Sequence, residues 1–166
     1  MMAKDRKGIL KMLENIPHVD ITYNDIENLF YLAEDQGWPD VYEKTLKLLR
    51  ENHGEEALQK HFDKDLGRIL AKNLDLVDIS IKMGAQISRN ILTACFLEMG
   101  ENLDEDWINM VIDKYNISAE TLVKAIKLLI YRSRFFRYFP KKVFNIIEPR
   151  LNWQQFNELK EKLEES

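Results

Sequence analysis

The chain has 166 residues, of which 45% are hydrophobic and 31% are charged, a composition typical of a soluble globular domain and not of a disordered chain. Its 6 glycines and 4 prolines are few, which disfavours sandwiches and barrels because those folds need many tight turns. The net charge of −4 excludes a uniformly basic coat for nucleic acid, and a single cysteine excludes an intramolecular disulfide.

The first residues predict neither a secretory signal nor a membrane anchor. A basic cluster at 1–7 is followed by an amphipathic segment in which Lys11 and Glu14 interrupt the apolar positions, whereas a signal needs an unbroken apolar stretch. The apolar run 91–97 is far shorter than the ~20 residues that a spanning helix needs. We expect a cytoplasmic protein, or one delivered from a cytoplasm by another route, with no membrane partner.

The first half of the chain carries helix start and stop signals. Thr22 is suited to an N-cap because its hydroxyl can accept from free backbone N–H groups. Gly37 is suited to a left-handed helix end, Pro39 to the first turn of the next helix, and Gly54 to its end. The apolar residues after Thr22 follow helical spacing: Ile26, Leu29, Phe30 and Ala33.

The segment 74–84 is ambiguous. Val77, Ile79, Ile81 and Met83 alternate with polar residues, which is typical of a strand, but the segment continues into apolar residues at helical spacing. A strand needs a partner strand and no convincing one is found. The sequence therefore predicts a central helix near 78–99, with a strand as the alternative for the first part.

The last third predicts a helix-turn-helix-like unit. The first helix would span 107–115, the turn 116–118 and the second helix 119–130. Asn116 is suited to the left-handed turn position that is usually given to glycine, and Ser118 to the cap of the second helix. Because any two helices joined by three residues give a similar pattern, the unit alone does not establish DNA binding.

These elements predict an all-α fold, a single-domain bundle of seven to nine helices over residues 1–166 with the central helix near 78–99. The tryptophans are expected to anchor the packing of the outer helices: Trp38, Trp107 and Trp153. The segments 44–49 and 124–129 are faintly similar, which suggests two weakly similar helical halves, although amphipathic helices also resemble one another by chance.

Catalytic and metal-binding patterns are not evident. His53 and His61 are eight residues apart with Gly54 between them, so the usual i, i+3 or i+4 spacing of two metal ligands on one helix does not occur. Cys95 lies in an apolar run without a local basic partner. Neither a phosphate-binding glycine loop nor a serine elbow is found. We expect no catalytic residue, no metal, no cofactor and no enzymatic activity, and an enzyme without a readable motif is the remaining alternative.

Charge is segregated along the chain. Residues 20–63 contain 11 acidic and 4 basic residues, a net charge of −7, whereas residues 132–150 contain 6 basic residues and one acid, a net charge of +5. Aromatic residues are interleaved with the basic ones. Such a stretch suits a protein interface, where arginine and aromatic residues are enriched, or contacts with phosphates and bases. The alternative is that the aromatic residues of this stretch belong to the hydrophobic core and that its basic residues form the solvated edge of that core.

The sequence therefore predicts a non-catalytic regulatory or interaction module, of adaptor or inhibitor type, that binds another protein through the basic and aromatic stretch 132–142. The alternative is a nucleic-acid-binding regulator that uses the unit 107–127 together with the same stretch. The oligomeric state is not indicated. The candidate contact residues are Thr121, Lys124, Lys127, Arg132, Arg134, Phe135, Phe136, Arg137, Tyr138, Lys141 and Lys142.

Overall fold

The computed structural model describes residues 5–15, 21–133 and 138–165. Within those ranges the chain forms nine α-helices and no β-strand, which confirms the predicted all-α fold of seven to nine helices. The helices are α1 (Arg6–Glu14), α2 (Tyr23–Gln36), α3 (Pro39–Leu70), α4 (Leu74–Lys82), α5 (Arg89–Met99), α6 (Glu105–Lys114), α7 (Ala119–Arg132), α8 (Tyr138–Ile147) and α9 (Trp153–Glu165).

The chain divides into two compact helical units, Met1–Ala85 and Gln86–Ser166. The first unit contains α1 to α4 and the second contains α5 to α9. The two faintly similar segments, 44–49 and 124–129, fall in different units. The organisation of residues 1–166 as one domain stays a prediction.

In the first unit, α3 is the common packing partner of α1, α2 and α4. Gly54 interrupts α3 with a φ of 87° and a ψ of 174°, so the helix bends where the sequence predicts a stop. Each large apolar side chain removed from water contributes roughly 1.5–3 kcal/mol, which makes the α3 interfaces the main stabilising element of the unit. The fully buried apolar side chains include Ile26, Leu46, Leu58, Phe62, Leu66, Leu70 and Val77.

Local capping chemistry explains the ends of α2. The Thr22 hydroxyl accepts a hydrogen bond from the backbone N–H of Asp25 (3.2 Å), and the Asp25 carboxylate accepts in return from Thr22. Gly37 ends the helix with a φ of 67° and a ψ of 45°, the left-handed conformation that glycine adopts without steric cost. Both predicted boundaries of α2 are confirmed.

The predicted central helix near 78–99 is wrong. The chain forms α4, which ends at Lys82, and then α5, which begins at Arg89. Gly84 has a φ of 103°, which no right-handed helix accommodates, and the Ser88 hydroxyl caps α5 by accepting from the backbone N–H of Ile91 (3.3 Å). The strand alternative for this segment is also wrong, because Leu74–Lys82 is helical.

In the second unit, α7 packs against α5, α8 and α9, and α6 packs against α8. The buried Thr93 hydroxyl donates to the backbone carbonyl of Ala125 (3.1 Å), which fixes α5 against α7. The face of α7 that points into this core is almost fully apolar. Its buried residues are Leu122, Val123, Ala125, Ile126 and Leu129.

The two helices and the turn of the helix-turn-helix-like unit lie at the predicted positions in the chain. The helices α6 and α7 are joined by a short turn in which Asn116 has a φ of 50°, the left-handed conformation expected from the sequence. The Ser118 hydroxyl caps α7 by accepting from the backbone N–H of Thr121 (3.2 Å). Trp153 departs from its predicted role, because at the start of α9 its side chain is 82% exposed and anchors no core.

Candidate functional site

Polar side chains on one face of α3 form the base of a cluster in the first unit. His61, Asp65 and Arg68 are spaced i, i+4 and i+7, which places them on the same side of the helix. The Nδ1 atom of His61 lies 3.1 Å from Oδ2 of Asp65, and Nη2 of Arg68 donates to Oδ1 of Asp65 at 3.3 Å. His61 is buried, with only 4% of its side chain exposed. The face is therefore polar inside a mostly apolar interface.

A second helix adds a carboxylate to this cluster. Arg68 Nη2 donates to Oε2 of Glu34 on α2 at 2.6 Å. The other oxygen, Oε1, is buried and has no hydrogen-bond donor among the described residues. Burial raises the pKa of Glu34 to about 7, although the Arg68 guanidinium acts to lower it. The negative charge of an ionised Glu34 is therefore only partly balanced by the hydrogen-bond donors and positive charges around it.

A chain of hydroxyl groups continues from the other side of the imidazole. Tyr42 Oη lies 3.2 Å from His61 Nε2 and 2.9 Å from Ser80 Oγ, so α3 and α4 are joined through it. The Ser80 hydroxyl donates to the backbone carbonyl of Leu76 at 2.9 Å. Burial raises the pKa of the Tyr42 phenol well above its usual range, which keeps the group neutral. Phe30 stacks on the imidazole of His61 with 3.9 Å between ring centroids.

We call the group Glu34, Tyr42, His61, Asp65, Arg68 and Ser80 the polar cluster. Its acid on α3 is Asp65. Burial acts to raise the pKa of Asp65, but the hydrogen bond with His61 and the neighbouring charges, Arg68 among them, outweigh burial and hold the pKa below the usual 3.8, so Asp65 remains ionised. A cavity of about 290 Å³ opens beside the cluster and is lined in part by Tyr31, Glu34 and Arg68. The cluster is therefore close to solvent on one side and covered by Phe30 on another.

The polar cluster also brings together three side chains that can bind a metal ion, two carboxylates and one imidazole. One carboxylate oxygen from each of Glu34 and Asp65 and one ring nitrogen of His61 lie within 4.8 Å of one another. The spacing of the histidines in the sequence did not predict a metal site. In the structure the three candidate ligands come from two helices, and only one of them is a histidine. The sequence signal that could have revealed the cluster is the run of His61, Asp65 and Arg68 on one helical face.

The candidate contact residues of the second unit fall into two groups. The first group, on α7, is engaged within the fold: Lys124 pairs with Glu120 at 2.9 Å, and Lys127 pairs with Glu158 of α9. The hydroxyl of Thr121 is hydrogen-bonded to the Ser118 hydroxyl at 2.9 Å. Charge on the second helix of the helix-turn-helix-like unit is therefore largely neutralised.

The second group lies at the end of α7 and in the first turns of α8. Arg132, Lys141 and Lys142 are exposed, and none of them forms an ion pair with a carboxylate in the described parts of the chain. Tyr138 is 79% exposed, and Tyr131, which the sequence did not single out, is 66% exposed. The remaining candidates, Arg134, Phe135, Phe136 and Arg137, lie outside the described residues.

We call Tyr131, Arg132, Tyr138, Lys141 and Lys142 the basic-aromatic face. Its residues lie at the end of α7 and along the first turns of α8, where Tyr138, Lys141 and Lys142 share one side at i, i+3 and i+4 spacing. The opposite side of α8 is buried, with Val143, Phe144 and Ile147 in the core. The structure thus separates the packed side of this helix from its basic side.

Nucleophilic chemistry at the single cysteine is disfavoured by its surroundings. Cys95 on α5 is buried, and burial raises the pKa of its thiol to about 12. A thiol with that pKa holds its proton at neutral pH, whereas the thiolate is the reactive form. Cys95 is accounted for by core packing.

Comparisons with known proteins found no matching protein family, no matching curated protein and no matching solved structure. Within the described residues, every helix is too short or too polar to cross a bilayer.

Proposed function

We propose that this protein is a non-catalytic interaction module that works in the cytoplasm and binds an acidic partner protein through the basic-aromatic face. One observation carries the proposal: two tyrosines that are 66% and 79% exposed, and three exposed cations that have no ion pair in the described structure, fall within the same twelve-residue stretch, 131–142. The cytoplasmic location is supported by the single cysteine, which suits a reducing compartment.

Exposed tyrosine and arginine side chains have physical properties that favour the binding of another protein. Tyrosine buries a large apolar area with few rotatable bonds and keeps a hydroxyl for hydrogen bonding, and arginine offers a planar donor fork to carboxylates. Both residue types are enriched among the side chains that dominate binding energy at interfaces. An acidic partner would be attracted by the three cations and held by Tyr131 and Tyr138.

The alternative function, nucleic-acid binding, is favoured by one observation, the left-handed Asn116 that gives the α6–α7 unit its turn. Three features of α7 weigh against it. Glu120 lies at the helix start, where it would repel phosphate, and the lysines that would meet phosphates, Lys124 and Lys127, are each paired with a glutamate. We therefore rank protein binding first.

The test compares two charge-reversal variants of the full chain in affinity capture from the native host. The face variant carries Arg132→Glu, Lys141→Glu and Lys142→Glu. The control variant carries the same change of charge at exposed lysines of the first unit: Lys7→Glu, Lys11→Glu and Lys60→Glu. Mass spectrometry identifies the captured proteins, and a nuclease-treated sample shows whether capture depends on nucleic acid.

We expect a partner that the wild type and the control variant capture and that the face variant binds at least about tenfold more weakly. Equal binding by all three proteins would contradict the proposal. Loss of capture after nuclease treatment, with retention on a nucleic-acid column that falls steeply as salt rises, would support the alternative instead.

A further inference from the structure

We propose that Glu34, His61 and Asp65 form a binding site for a divalent transition-metal ion, of which Zn²⁺ is the probe. The three residues offer two carboxylate oxygens and one imidazole nitrogen, a ligand set that Zn²⁺ accepts in sites that keep one position open for water. These atoms already lie within 4.8 Å of one another. Ligands at about 2.1 Å from a tetrahedral metal lie about 3.4 Å apart, so the three side chains would have to approach one another by about 1.4 Å or less.

Arg68 leaves one oxygen of each carboxylate without a hydrogen bond from its guanidinium. Its guanidinium binds Oε2 of Glu34 and Oδ1 of Asp65. What remains is Oε1 of Glu34, which is buried without a donor, and Oδ2 of Asp65, which faces the imidazole. A cation coordinated by these two oxygens would satisfy the unpartnered atom and would leave both Arg68 bonds in place.

The hydroxyl chain behind Nε2 is compatible with metal binding at Nδ1 of His61. The Ser80 hydroxyl donates to the Leu76 carbonyl, so its oxygen can accept from Tyr42, and Tyr42 can then accept from Nε2–H of the imidazole. In the neutral ring this tautomer leaves a lone pair on Nδ1 for a metal. Nδ1 lies 3.1 Å from Oδ2 of Asp65, so a metal bound to both atoms takes the place of the proton that would otherwise join them.

The surroundings of the imidazole resemble the support that metal-bound histidines have in general. The second nitrogen of a ligating histidine almost always donates to a fixed acceptor, which sets the tautomer and the ring orientation. Here Tyr42 is that acceptor, and the stacked ring of Phe30 covers one face. The cavity of about 290 Å³ is lined in part by Glu34 and Arg68, so two members of the polar cluster border an open space.

The occupant that competes with a metal is a proton. A proton on Nδ1 would donate to Asp65, either in the neutral ring, where Tyr42 donates to Nε2, or in the imidazolium, where Nε2 donates to Tyr42. It would leave Oε1 of Glu34 without a partner, whereas a metal satisfies that atom as well. The two occupants differ in the species attached to Nδ1, which can be measured.

The test uses the full chain after removal of metals with a chelator. Isothermal titration with Zn²⁺ is expected to show one tight site per chain, and Mg²⁺ is expected to bind much more weakly because it disfavours imidazole. Glu34→Gln keeps the shape and the hydrogen-bond acceptor for Arg68 but removes the carboxylate, and is expected to weaken Zn²⁺ binding at least about tenfold. Asp65→Asn is expected to do the same. Melting in the presence of chelator shows that each variant is folded.

Two control variants separate this site from adventitious binding. Asp35→Asn changes a carboxylate that lies next to Glu34 on α2 and lines the same cavity, but that does not belong to the proposed ligands. His53→Gln removes an exposed histidine. Both are expected to bind Zn²⁺ like the wild type. Tight binding that is lost in His53→Gln would overturn the proposal, because the ion would then be bound elsewhere.

Long-range ¹H–¹⁵N spectra of the imidazole identify the species on Nδ1. We expect the Nδ1 signal of His61 to move on addition of Zn²⁺ while Nε2 keeps its proton. Absence of tight Zn²⁺ binding, unchanged binding in Glu34→Gln, or an Nδ1 that stays protonated at saturating Zn²⁺ would each overturn the proposal. The last result would show that a proton, and not a metal, joins Nδ1 of His61 to the Asp65 carboxylate.

Discussion

The polar cluster and the basic-aromatic face use charged residues in opposite ways. In the cluster, Asp65 and Arg68 are mostly removed from solvent and contact other polar groups of the same unit. At the face, Arg132, Lys141 and Lys142 are exposed and have no ion pair in the described chain. Changes in the cluster should therefore affect stability, whereas changes at the face should affect binding.

The largest expected effect is on the cluster. Asp65→Ala leaves the buried His61 and the half-buried Arg68 without their shared carboxylate, and loss of a hydrogen-bonding partner of charged groups in such a place costs about 1.5–3 kcal/mol. Urea unfolding in the presence of chelator measures the change. The exposed Asp63→Ala, two residues earlier on α3, serves as the control and should change the free energy of unfolding by less than about 0.5 kcal/mol. Equal small losses in both variants would remove the energetic distinction between cluster and surface.

The next largest expected effect is the dependence of the free energy of unfolding on pH. The folded-state pKa of Glu34, about 7, lies above its ordinary value of 4.5, so the folded chain holds this proton more tightly than the unfolded chain does. The stability that this proton provides is complete below pH 4.5 and is lost as the pH rises to about 7. The opposite shift of Asp65 acts at more acidic pH, below its ordinary pKa of 3.8.

Across this window we expect the free energy of unfolding to fall by up to roughly 1 kcal/mol per pH unit in chelator-treated wild type. Glu34→Gln should flatten the profile because an amide does not titrate. Denaturant unfolding at several pH values tests the prediction. A wild-type profile already as flat as that of the variant would show that Glu34 titrates normally.

The smallest expected effect is a difference in the free energy of unfolding between variants of two arginines of the second unit. Arg150 donates to Asn109 Oδ1 (3.0 Å) and to Asp113 (2.7 Å), so it joins the end of the α8 region to α6. Arg150→Ala should lower the free energy of unfolding by about 1 kcal/mol, the scale of a charge-assisted hydrogen bond that is partly exposed. Arg132→Ala should change it by less than about 0.5 kcal/mol. A larger loss for Arg132→Ala would show that the face has a structural role.

How much of this the sequence could predict depends on the range of the interactions. Helix ends such as Thr22, Gly37 and Ser118 were predictable because capping depends on residues within one turn. The break at Gly84 was missed, since apolar spacing continues across it and a positive φ leaves no mark on that pattern. Burial of individual residues was harder, as the exposure of Trp153 shows.

The two candidate sites differ in the same respect. The basic-aromatic face follows from a local excess of cations and aromatic residues, although the exposure of Tyr131 needed the structure. The polar cluster was missed because Glu34 reaches it only when α2 packs on α3. Its half on α3, the spacing of His61, Asp65 and Arg68, was readable from the sequence.

The central claim is that the chain binds a partner through the basic-aromatic face. The most direct measurement compares backbone amide chemical shifts of the ¹⁵N-labelled full chain with and without the captured partner. We predict that the largest changes fall between residues 131 and 142. Changes concentrated on α7 around Lys124 and Lys127, or on α2 and α3 around Glu34 and His61, would contradict the claim.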